Sequence, residues 1–373
     1  MLAVLILILF LFSGTTYQSK SQSAAMKKSK IQLALLLDTS NSMDGLIDQA
    51  KSQLWNIVNE LAKAKCGMDR PELQIALYEY GNDNLPYSEG HIRLVTPLTT
   101  DLDEISKDLF ELTTNGGNEF CGTVIQTCLK QLSWSTSEND LQIIYIAGNE
   151  PFTQGKINYA DACKLAKEKN VIVNTIFCGD FNVGIQTSWK NGADLACGQY
   201  SSIQQNSRTV YIESPYDKRI TELNSELNNT YIPYGSYGYS KKMNQEVQDN
   251  NAQSYGTVNT VNRAVAKSSH VYDNSSWDLV DALANKDFSL QSVKKEELPE
   301  EMRSMSATEQ QKYIETKKRE RQNIQNEIQE LNRKRSDYIN DQKRDNADET
   351  EMLDAAILTS LREQAKSRNF IIE

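Results

Sequence analysis

The chain has 373 residues, of which 39% are hydrophobic and 24% are charged. This length and composition are enough for a sizeable core, in one large domain or two smaller ones, and they exclude a disordered protein. The formal net charge of −10 argues against a nucleic acid as partner, because neutralising phosphates requires clustered Lys and Arg. An acidic surface is also suited to binding cations.

The chain begins with an apolar run at residues 2–12, which is short for a transmembrane helix and typical of the hydrophobic region of a signal peptide. No Lys or Arg precedes this run, so an uncleaved anchor is the alternative. We assign residues 1–25 to a signal peptide or N-terminal anchor. The protein is therefore expected to be exported, and to be periplasmic, associated with the cell envelope, or secreted. A membrane is expected as partner only through this segment.

Six cysteines would be free to oxidise in an exported protein. None of them forms a CxxC pair and only two histidines are present, so the spacing excludes a zinc finger. Cys178 and Cys197 flank one helix–strand unit, and a disulfide between them would close a loop of about twenty residues.

A continuous apolar segment followed by oxygen-bearing side chains is the most informative part of the sequence. Residues 31–37 predict a central strand buried on both faces of a sheet. Asp38, Ser40 and Ser42 follow at its C-terminal end, where open α/β sheets bind ligands. Three hard oxygen donors at alternate positions on one turn are suited to Mg²⁺, Mn²⁺ or Ca²⁺. The alternative is that Asp38 and Ser40 cap the next helix, which would use one side chain and not three.

Helical and strand patterns then alternate along the chain. Apolar residues at helical spacing predict helices over 44–65, 101–112, 121–132, 159–169, 185–196 and 220–227. Strands are predicted over 72–80, 91–96, 141–147, 171–178, and either 200–203 or 209–212. The strands 72–80 and 91–96 are expected to form an antiparallel hairpin at the sheet edge. The alternation as a whole predicts an α/β fold with a doubly wound, mainly parallel sheet.

The sequence Asp-x-Ser-x-Ser after an apolar first strand resembles the first motif of the metal-ion-dependent adhesion site in von Willebrand factor A domains. The order of elements over residues 30–231 also resembles this family. The pattern GxxxxWKxGADLAxGxY at residues 184–200 is similar to exported bacterial members. The resemblance implies a Rossmann-like A-domain fold for residues 30–231.

Two further loops correspond to the metal-binding loops of the family, with departures from its pattern. Asn118 stands where a Gly-x-Thr loop would have threonine, and Glu119 follows it; the alternative is a Gly-rich turn in which Asn caps a helix. Gly148 stands where a Thr-Asp-Gly loop would have aspartate, so that Asn149 or Glu150 would have to substitute, or Glu150 has no metal role. The metal ligands implied by the resemblance are Asp38, Ser40, Ser42, Asn118, Glu119, Asn149 and Glu150.

The composition changes beyond Tyr231. Residues 232–295 are predicted to be a linker with short helices over 257–266 and 276–284. The aromatic and glycine residues at 234–239 and the polar stretch up to residue 254 are expected to form a loop over the domain, with a platform for a sugar or peptide as the alternative.

Residues 296–373 are predicted to form a helical hairpin that resembles a coiled coil. Ser306 and Glu309 have the spacing of a capping box at the start of a long helix. This helix carries an apolar heptad seam that Arg321 and Arg335 interrupt. We expect helices at 306–341 and 350–366 to pack antiparallel, because each apolar seam would otherwise face water.

The sequence favours a binding module over an enzyme. It contains no GxSxG, HExxH or Walker loop, and the candidate metal ligands include no His or Lys that would act as a base. We therefore expect no catalytic residues and an exported adhesion or assembly module. It would engage a protein partner through Mg²⁺ (or Mn²⁺ or Ca²⁺), with the partner contributing an acidic side chain. The alternatives are an envelope scaffold that has a degenerate metal site and acts through its C-terminal helices, and a metal-dependent hydrolase.

Overall fold

A computed structural model describes residues 29–67, 69–204, 206, 212–343 and 353–372. The predicted signal peptide or anchor, most of the alternative strand 209–212 and the start of the last predicted helix lie outside these residues. Among the helices of the described part, none is long and apolar enough to cross a membrane.

A six-stranded sheet forms the centre of the protein, with the strand order β4-β3-β1-β5-β6-β7. All neighbouring strands are parallel except β3 and β4, which form the predicted antiparallel pair at one edge. The central position predicted for the first strand is thereby confirmed. The strands are β1 (Lys30–Asp38), β3 (Glu72–Tyr80), β4 (Ile92–Thr99), β5 (Leu141–Gly148), β6 (Ile172–Cys178) and β7 (Tyr200–Ile203). A separate antiparallel pair, which the sequence analysis missed, joins β2 (Ala64–Cys66) to β8 (Phe370–Ile372).

Helices follow most strands and then dominate the second half of the chain. Those up to β7 are α1 (Asp44–Leu61), α2 (Leu102–Glu111), α3 (Cys121–Gln131), α4 (Tyr159–Glu168), α5 (Phe181–Gln186) and α6 (Trp189–Leu195). The later ones are α7 (Asp217–Asn228), α8 (Gly238–Ser254), α9 (Thr257–Lys267), α10 (Leu279–Ala282), α11 (Glu300–Arg303), α12 (Ala307–Lys343) and α13 (Leu353–Ser367).

Both faces of the sheet are buried, as a doubly wound fold requires. Along β1, Leu33, Leu35 and Leu37 face one apolar core, to which α1, α2 and α13 contribute. Ala34 and Leu36 face the other core, formed with α3, α4 and α6. Side chains of a strand alternate between the two faces of its sheet, so a strand covered on both sides is apolar at every position. The predicted α/β fold with a mainly parallel sheet is confirmed.

Two local predictions differ from the structure. The helix predicted over 185–196 is divided into α5 and α6, because Ser188 between them adopts a left-handed conformation with φ of 74°. The polar stretch predicted as a loop up to residue 254 is the 17-residue helix α8. Its buried positions include Gln245 and Gln248, so burial on this helix does not follow apolar residues and gives no helical pattern of hydrophobicity.

The predicted antiparallel hairpin of the two C-terminal helices is wrong. Within the described residues, α12 packs mainly against α7, α9 and α10, whereas α13 packs against α1, β6, β7 and β8. Leu353, Ile357 and Leu361 of α13 belong to the same core as β1, and Tyr145 of β5 donates a hydrogen bond to the Ile357 carbonyl at 3.0 Å. The seam of α12 is thus buried against α7, α9 and α10, and the seam of α13 against the sheet and α1.

The arginines expected to interrupt the seam of α12 are buried and ion-paired. Arg321 is held between Asp278 and Asp281, with a contact of 2.7 Å to each carboxylate, and its guanidinium stacks 4.1 Å from the centroid of the Tyr231 ring. Arg335 contacts Asp217 at 2.9 Å. Both arginines lie on the buried face of α12. Their burial is tolerated because each charge has a partner. The predicted capping box is present, since Ser306 N donates to a Glu309 carboxylate oxygen at 2.8 Å.

The structure does not support the possible disulfide between Cys178 and Cys197, because both thiols are free. Cys178 ends β6, whereas Gly198, the neighbour of Cys197, lies against the carbonyl of Val173 near the start of that strand. Five residues of strand separate these points by about 16 Å. A disulfide requires Cα atoms within about 7 Å.

We predict that Arg321→Ala lowers the free energy of unfolding by about 3–5 kcal/mol, because two largely buried carboxylates lose their shared counter-ion. Chemical denaturation measures this change. Arg319→Ala, at an exposed position on the same helix, is the matched control and should change stability by less than about 0.5 kcal/mol. Equal effects of the two substitutions would show that the buried ion pairs do not anchor α12.

For α13, we predict that Leu361→Ala lowers the free energy of unfolding by about 2–5 kcal/mol, because it leaves a cavity in the core shared with the sheet. Thr359→Ala, on the exposed side of the same helix, should have little effect. A loss of stability under 1 kcal/mol for Leu361→Ala, measured by the same method, would contradict the docking of α13 on the sheet.

Candidate metal site

The turn after β1 brings the first three predicted ligands together. Asp38 is fully buried, and one of its carboxylate oxygens, Oδ1, accepts a hydrogen bond from Ser40 N at 2.8 Å. The hydroxyl oxygens of Ser40 and Ser42 lie 3.2 Å apart. Neighbouring ligands of an octahedral ion with bonds of about 2.1 Å are about 3.0 Å apart, so this spacing fits two ligands of one cation.

Helix capping does not explain these side chains. Neither the short 3₁₀ turn at Asn41–Met43 nor α1 receives a capping hydrogen bond from a side chain. The Asp38 carboxylate bonds within its own turn, to Ser40 N, and does not reach the helix. The alternative that Asp38 and Ser40 act as helix caps is therefore wrong.

The loop before α3 buries Glu119 beside Asp38 and leaves Asn118 at the surface. Asn118 is exposed, whereas Glu119 is 4% exposed. A Cβ atom on Gly81, at the end of β3, would lie 2.7 Å from the Glu119 side chain and 2.8 Å from Asp38 Oδ1. Gly81 therefore leaves room for both carboxyl groups. Gly117 allows the loop before α3 to lie directly against Gly81, because a Cβ atom on Gly117 would stand 2.3 Å from the Gly81 carbonyl oxygen.

The two buried carboxyl groups are electrostatically coupled. Burial raises the pKa of Asp38 and of Glu119, and the neighbouring Asp38 charge raises the pKa of Glu119 further. One oxygen of each group, Asp38 Oδ2 and Glu119 Oε2, is buried without a hydrogen-bond partner. Buried oxygens of this kind are costly unless another group satisfies them. A bound cation would satisfy both oxygens and would favour the ionised form of each carboxyl group.

The end of β5 differs most from the expected pattern. A Cβ on Gly148 would stand 2.5 Å from the Tyr80 hydroxyl oxygen and 3.0 Å from Asp38 Oδ2. The Tyr80 hydroxyl, which donates to the Ala147 carbonyl at 2.9 Å, takes up the space that a side chain at position 148 would need. Tyr80 could not be predicted as part of the site, because in the sequence a tyrosine at the end of a buried strand looks like an ordinary core residue.

The two other candidates at this end of β5 have different surroundings. The Asn149 amide donates to the Ser42 hydroxyl at 3.1 Å and so joins the site. Glu150 is exposed, and its carboxylate accepts a hydrogen bond from Gln154 at 3.0 Å. Gln154 also accepts a hydrogen bond from Glu119 N at 3.2 Å. Glu150 thus lies beside the site as a nearby negative charge and makes no contact with the serines.

The structure therefore brings together Asp38, Ser40, Ser42, Glu119 and Asn149. In the described part of the chain, no group of three or more His, Cys, Asp or Glu side chains is placed to hold a metal ion. The candidate site has two carboxyl groups and two hydroxyls, which is an all-oxygen set typical of hard divalent cations.

Residues behind the site, which the sequence analysis also missed, hold its loops in place. The Thr39 hydroxyl donates to the buried Glu79 carboxylate at 3.2 Å, and the Thr39 carbonyl accepts from Asn115 N at 3.0 Å. Asn82 donates to the Thr113 carbonyl at 2.9 Å. These bonds connect the turn after β1, the end of β3 and the loop before α3. Glu79, an acidic residue within an otherwise apolar strand, was the sequence feature that could have predicted these contacts.

The comparisons with known proteins agree with this fold. The family model described as the von Willebrand factor type A domain matches residues 32–187, from β1 through α5. The resemblance to that family is thereby confirmed for this segment, which is less than half of the chain. A search of curated proteins found no match.

Several solved structures are similar at low sequence identity. BatB from Bacteroides thetaiotaomicron is 16% identical with a TM-score of 0.36, covering 46% of this chain and 90% of that one. The VWA domain of SpRpn10 is 20% identical with a TM-score of 0.36, covering 47% and 88%. Proximal thread matrix protein 1 from the mussel byssus, with a zinc-occupied MIDAS motif, is 13% identical with a TM-score of 0.35, covering 47% and 42%. At these values the similarities carry no argument about function.

We predict that Gly148→Ala lowers the free energy of unfolding by about 1–3 kcal/mol, because its methyl group would overlap the Tyr80 hydroxyl. Tyr80→Phe removes that hydroxyl and, alone, should cost about 1 kcal/mol for its lost hydrogen bond. The double variant should therefore lose less free energy of unfolding than the two single variants lose in sum, by at least about 0.5 kcal/mol in denaturation experiments. Additive effects would show that Tyr80 is not what excludes a side chain at position 148.

Proposed function

We propose that this chain is a binding module that engages a protein partner through a divalent cation held at the C-terminal edge of its sheet. The observation that carries the proposal is the pair of buried oxygens without partners, Asp38 Oδ2 and Glu119 Oε2, next to the hydroxyls of Ser40 and Ser42. The A-domain match over residues 32–187 supports a binding module more than an enzyme.

The residues have distinct roles in this proposal. Asp38 supplies the first carboxylate, and Ser40 and Ser42 supply hydroxyl oxygens. Glu119 supplies the second carboxylate, which compensates for the glycine at position 148. Two carboxylates balance the charge of one Mg²⁺, Mn²⁺ or Ca²⁺ ion, all of which prefer oxygen ligands. Asn149 orients the Ser42 hydroxyl through its hydrogen bond.

The exposed side of the site determines what the partner provides. Asp38 and Glu119 are buried, whereas Ser42 is exposed, so that a partner approaches from the Ser42 side. When bound, the cation supplies a coordination position that favours an anionic oxygen. We propose that an Asp or Glu of the partner protein occupies this position.

We further propose that the protein is exported and acts in the periplasm, at the cell envelope or outside the cell, because of the apolar segment at residues 2–12. We assign no catalytic role. In this proposal both carboxylates are ligands of the cation, and the remaining groups are hydroxyls and an amide, which are not general bases near neutral pH.

Titration calorimetry with Mg²⁺ and Mn²⁺ tests the site directly. We predict that each chain binds one ion. Asp38→Asn and Glu119→Gln should each weaken this binding at least tenfold, which corresponds to a loss of about 1.4 kcal/mol or more in binding free energy. Each variant removes one negative charge from the ligand set while keeping the shape of the side chain. Glu89→Gln, at an exposed position on the turn before β4, is the matched control and should change affinity by less than twofold. Circular dichroism checks that each variant is folded.

Capture of a partner from the native cell envelope, with and without a chelator, tests the function. Captured protein should be lost with chelator and with Asp38→Asn, and retained by Glu89→Gln. Binding of cation without a chelator-sensitive partner would contradict the capture mechanism alone. Failure of the wild-type chain to bind Mg²⁺, Mn²⁺ and also Ca²⁺, titrated in the same way, would contradict the metal site and would favour a scaffold that acts through its C-terminal helices.

A further inference from the structure

Helix α8 has an inverted distribution of polar and apolar side chains. Its buried positions include Gln245 and Gln248. On the opposite side, Tyr239 is 65% exposed, Met243 56% and Val247 48%. Helices on the surface of a protein normally bury their apolar side and expose their polar side. The apolar side of α8 therefore has no function in holding the helix to its own chain.

Polar contacts attach the inner side of α8 to the rest of the chain. Gln245 donates to the Tyr272 hydroxyl at 3.1 Å, and Gln248 accepts a hydrogen bond from Ser106 at 2.9 Å. Lys241 forms ion pairs with Asp101 at 2.8 Å and with Glu104 at 2.9 Å. These contacts fix α8 against α2 and the segment after α9 and leave its outer side to face solvent.

The exposed apolar residues form one continuous stripe. Tyr239, Met243 and Val247 are spaced by four residues, so that each is rotated by about 40° from the previous one and the stripe is about 12 Å long. Contiguous exposed apolar surface of this kind marks a site of interaction.

We propose that this stripe pairs with the same stripe on a second copy of the chain, with the two α8 helices antiparallel across a two-fold axis near Met243. The stripe is symmetric about Met243 in spacing, with one large apolar residue four positions to either side. A two-fold axis therefore places Tyr239 of each copy against Val247 of the other. Such isologous contacts are the most common interface in homo-oligomers.

The charges beside the stripe complement each other in this arrangement. Lys242 and Glu246 lie on the same flank, one helical turn apart. In an antiparallel pair, equivalent flanks meet, so that Lys242 of each copy approaches Glu246 of the other. Among the described residues, the polar contacts of Lys242 are limited to one of 3.5 Å to the Tyr231 carbonyl, and Glu246 has no hydrogen bond or ion pair. Both side chains are therefore available for contacts between copies.

Sedimentation velocity of the full chain over a range of concentrations tests the pairing. An interface of one helix from each copy is small, so we expect a dissociation constant in the micromolar range. Met243→Glu should abolish dimer formation, because it places like charges on the symmetry axis. Lys242→Glu and Glu246→Lys should each weaken the dimer at least tenfold. The double charge-swapped variant should restore it to within threefold. The proposal would be overturned if the wild-type chain stayed monomeric at a protein concentration 100 times the expected dissociation constant. A dimer that Met243→Glu does not weaken would also overturn it.

Oxidative cross-linking tests the antiparallel geometry in a background where the exposed Cys197 is replaced by Ser. A cysteine at position 243, introduced as Met243→Cys, should form a disulfide with its copy, because it lies at the axis. Val247→Cys, one turn further along the same stripe, should not, because a two-fold axis at Met243 separates the two introduced thiols by about 12 Å along the helix. Equal cross-linking at the two positions would overturn the antiparallel arrangement. Binding of a monomeric chain to anionic lipid vesicles that is lost with Met243→Glu would assign the stripe to a membrane surface and would also overturn it.

Discussion

Two carboxyl groups buried side by side at the end of the central strand constrain the structure around them. Asp38 cannot move away from this position, because β1 is fixed between β3 and β5 and is covered by helices on both faces. Glu119 is brought to it by a loop that packs on Gly81. Burying two neighbouring acids is unfavourable unless a proton or a cation compensates their charge. The cost is tolerated where a ligand must bind, and this is why we interpret the pair as a site and not as part of the core.

Buried charges, together with the shared apolar core, hold helices of the second half of the chain in place. Arg263 is fully buried between Asp103 of α2 and Asp249 of α8, while its guanidinium stacks 4.6 Å from the centroid of the Trp55 ring of α1. Lys267 adds a second buried cation beside Asp249, at 3.0 Å, and burial lowers its pKa to about 8. Removing one member of such a network leaves the others uncompensated, so these helices have few alternative ways to pack. The network therefore gives specificity of position more than stability.

The sequence predicted the sheet well because its strands follow simple rules. A strand buried on both faces must be apolar at every position, and this pattern located β1, β5 and β6. The turn carrying Asp38, Ser40 and Ser42 was also predictable, since side chains on one turn must lie close together. The choice of Glu119 over Asn118 was not, because it depends on how the loop packs against Gly81, a contact between residues distant in sequence.

The C-terminal region was predicted poorly for a related reason. Apolar seams on α12 and α13 show that each helix must be buried, and they do not show against what. Two consecutive apolar seams that would otherwise face water suggested a pair, yet Leu361 lies in the core beside β1 and Arg321 is satisfied by acids of the α10 region. The buried arginines explain why α12 packs elsewhere than against α13. An arginine in a two-helix seam would require a carboxylate on the facing helix, whereas the partners of Arg321, Asp278 and Asp281, come from an earlier part of the chain. Burial of Ile314 and Ile328 requires only that α12 be covered, and the charge pairing of Arg321 determines which part of the chain covers it.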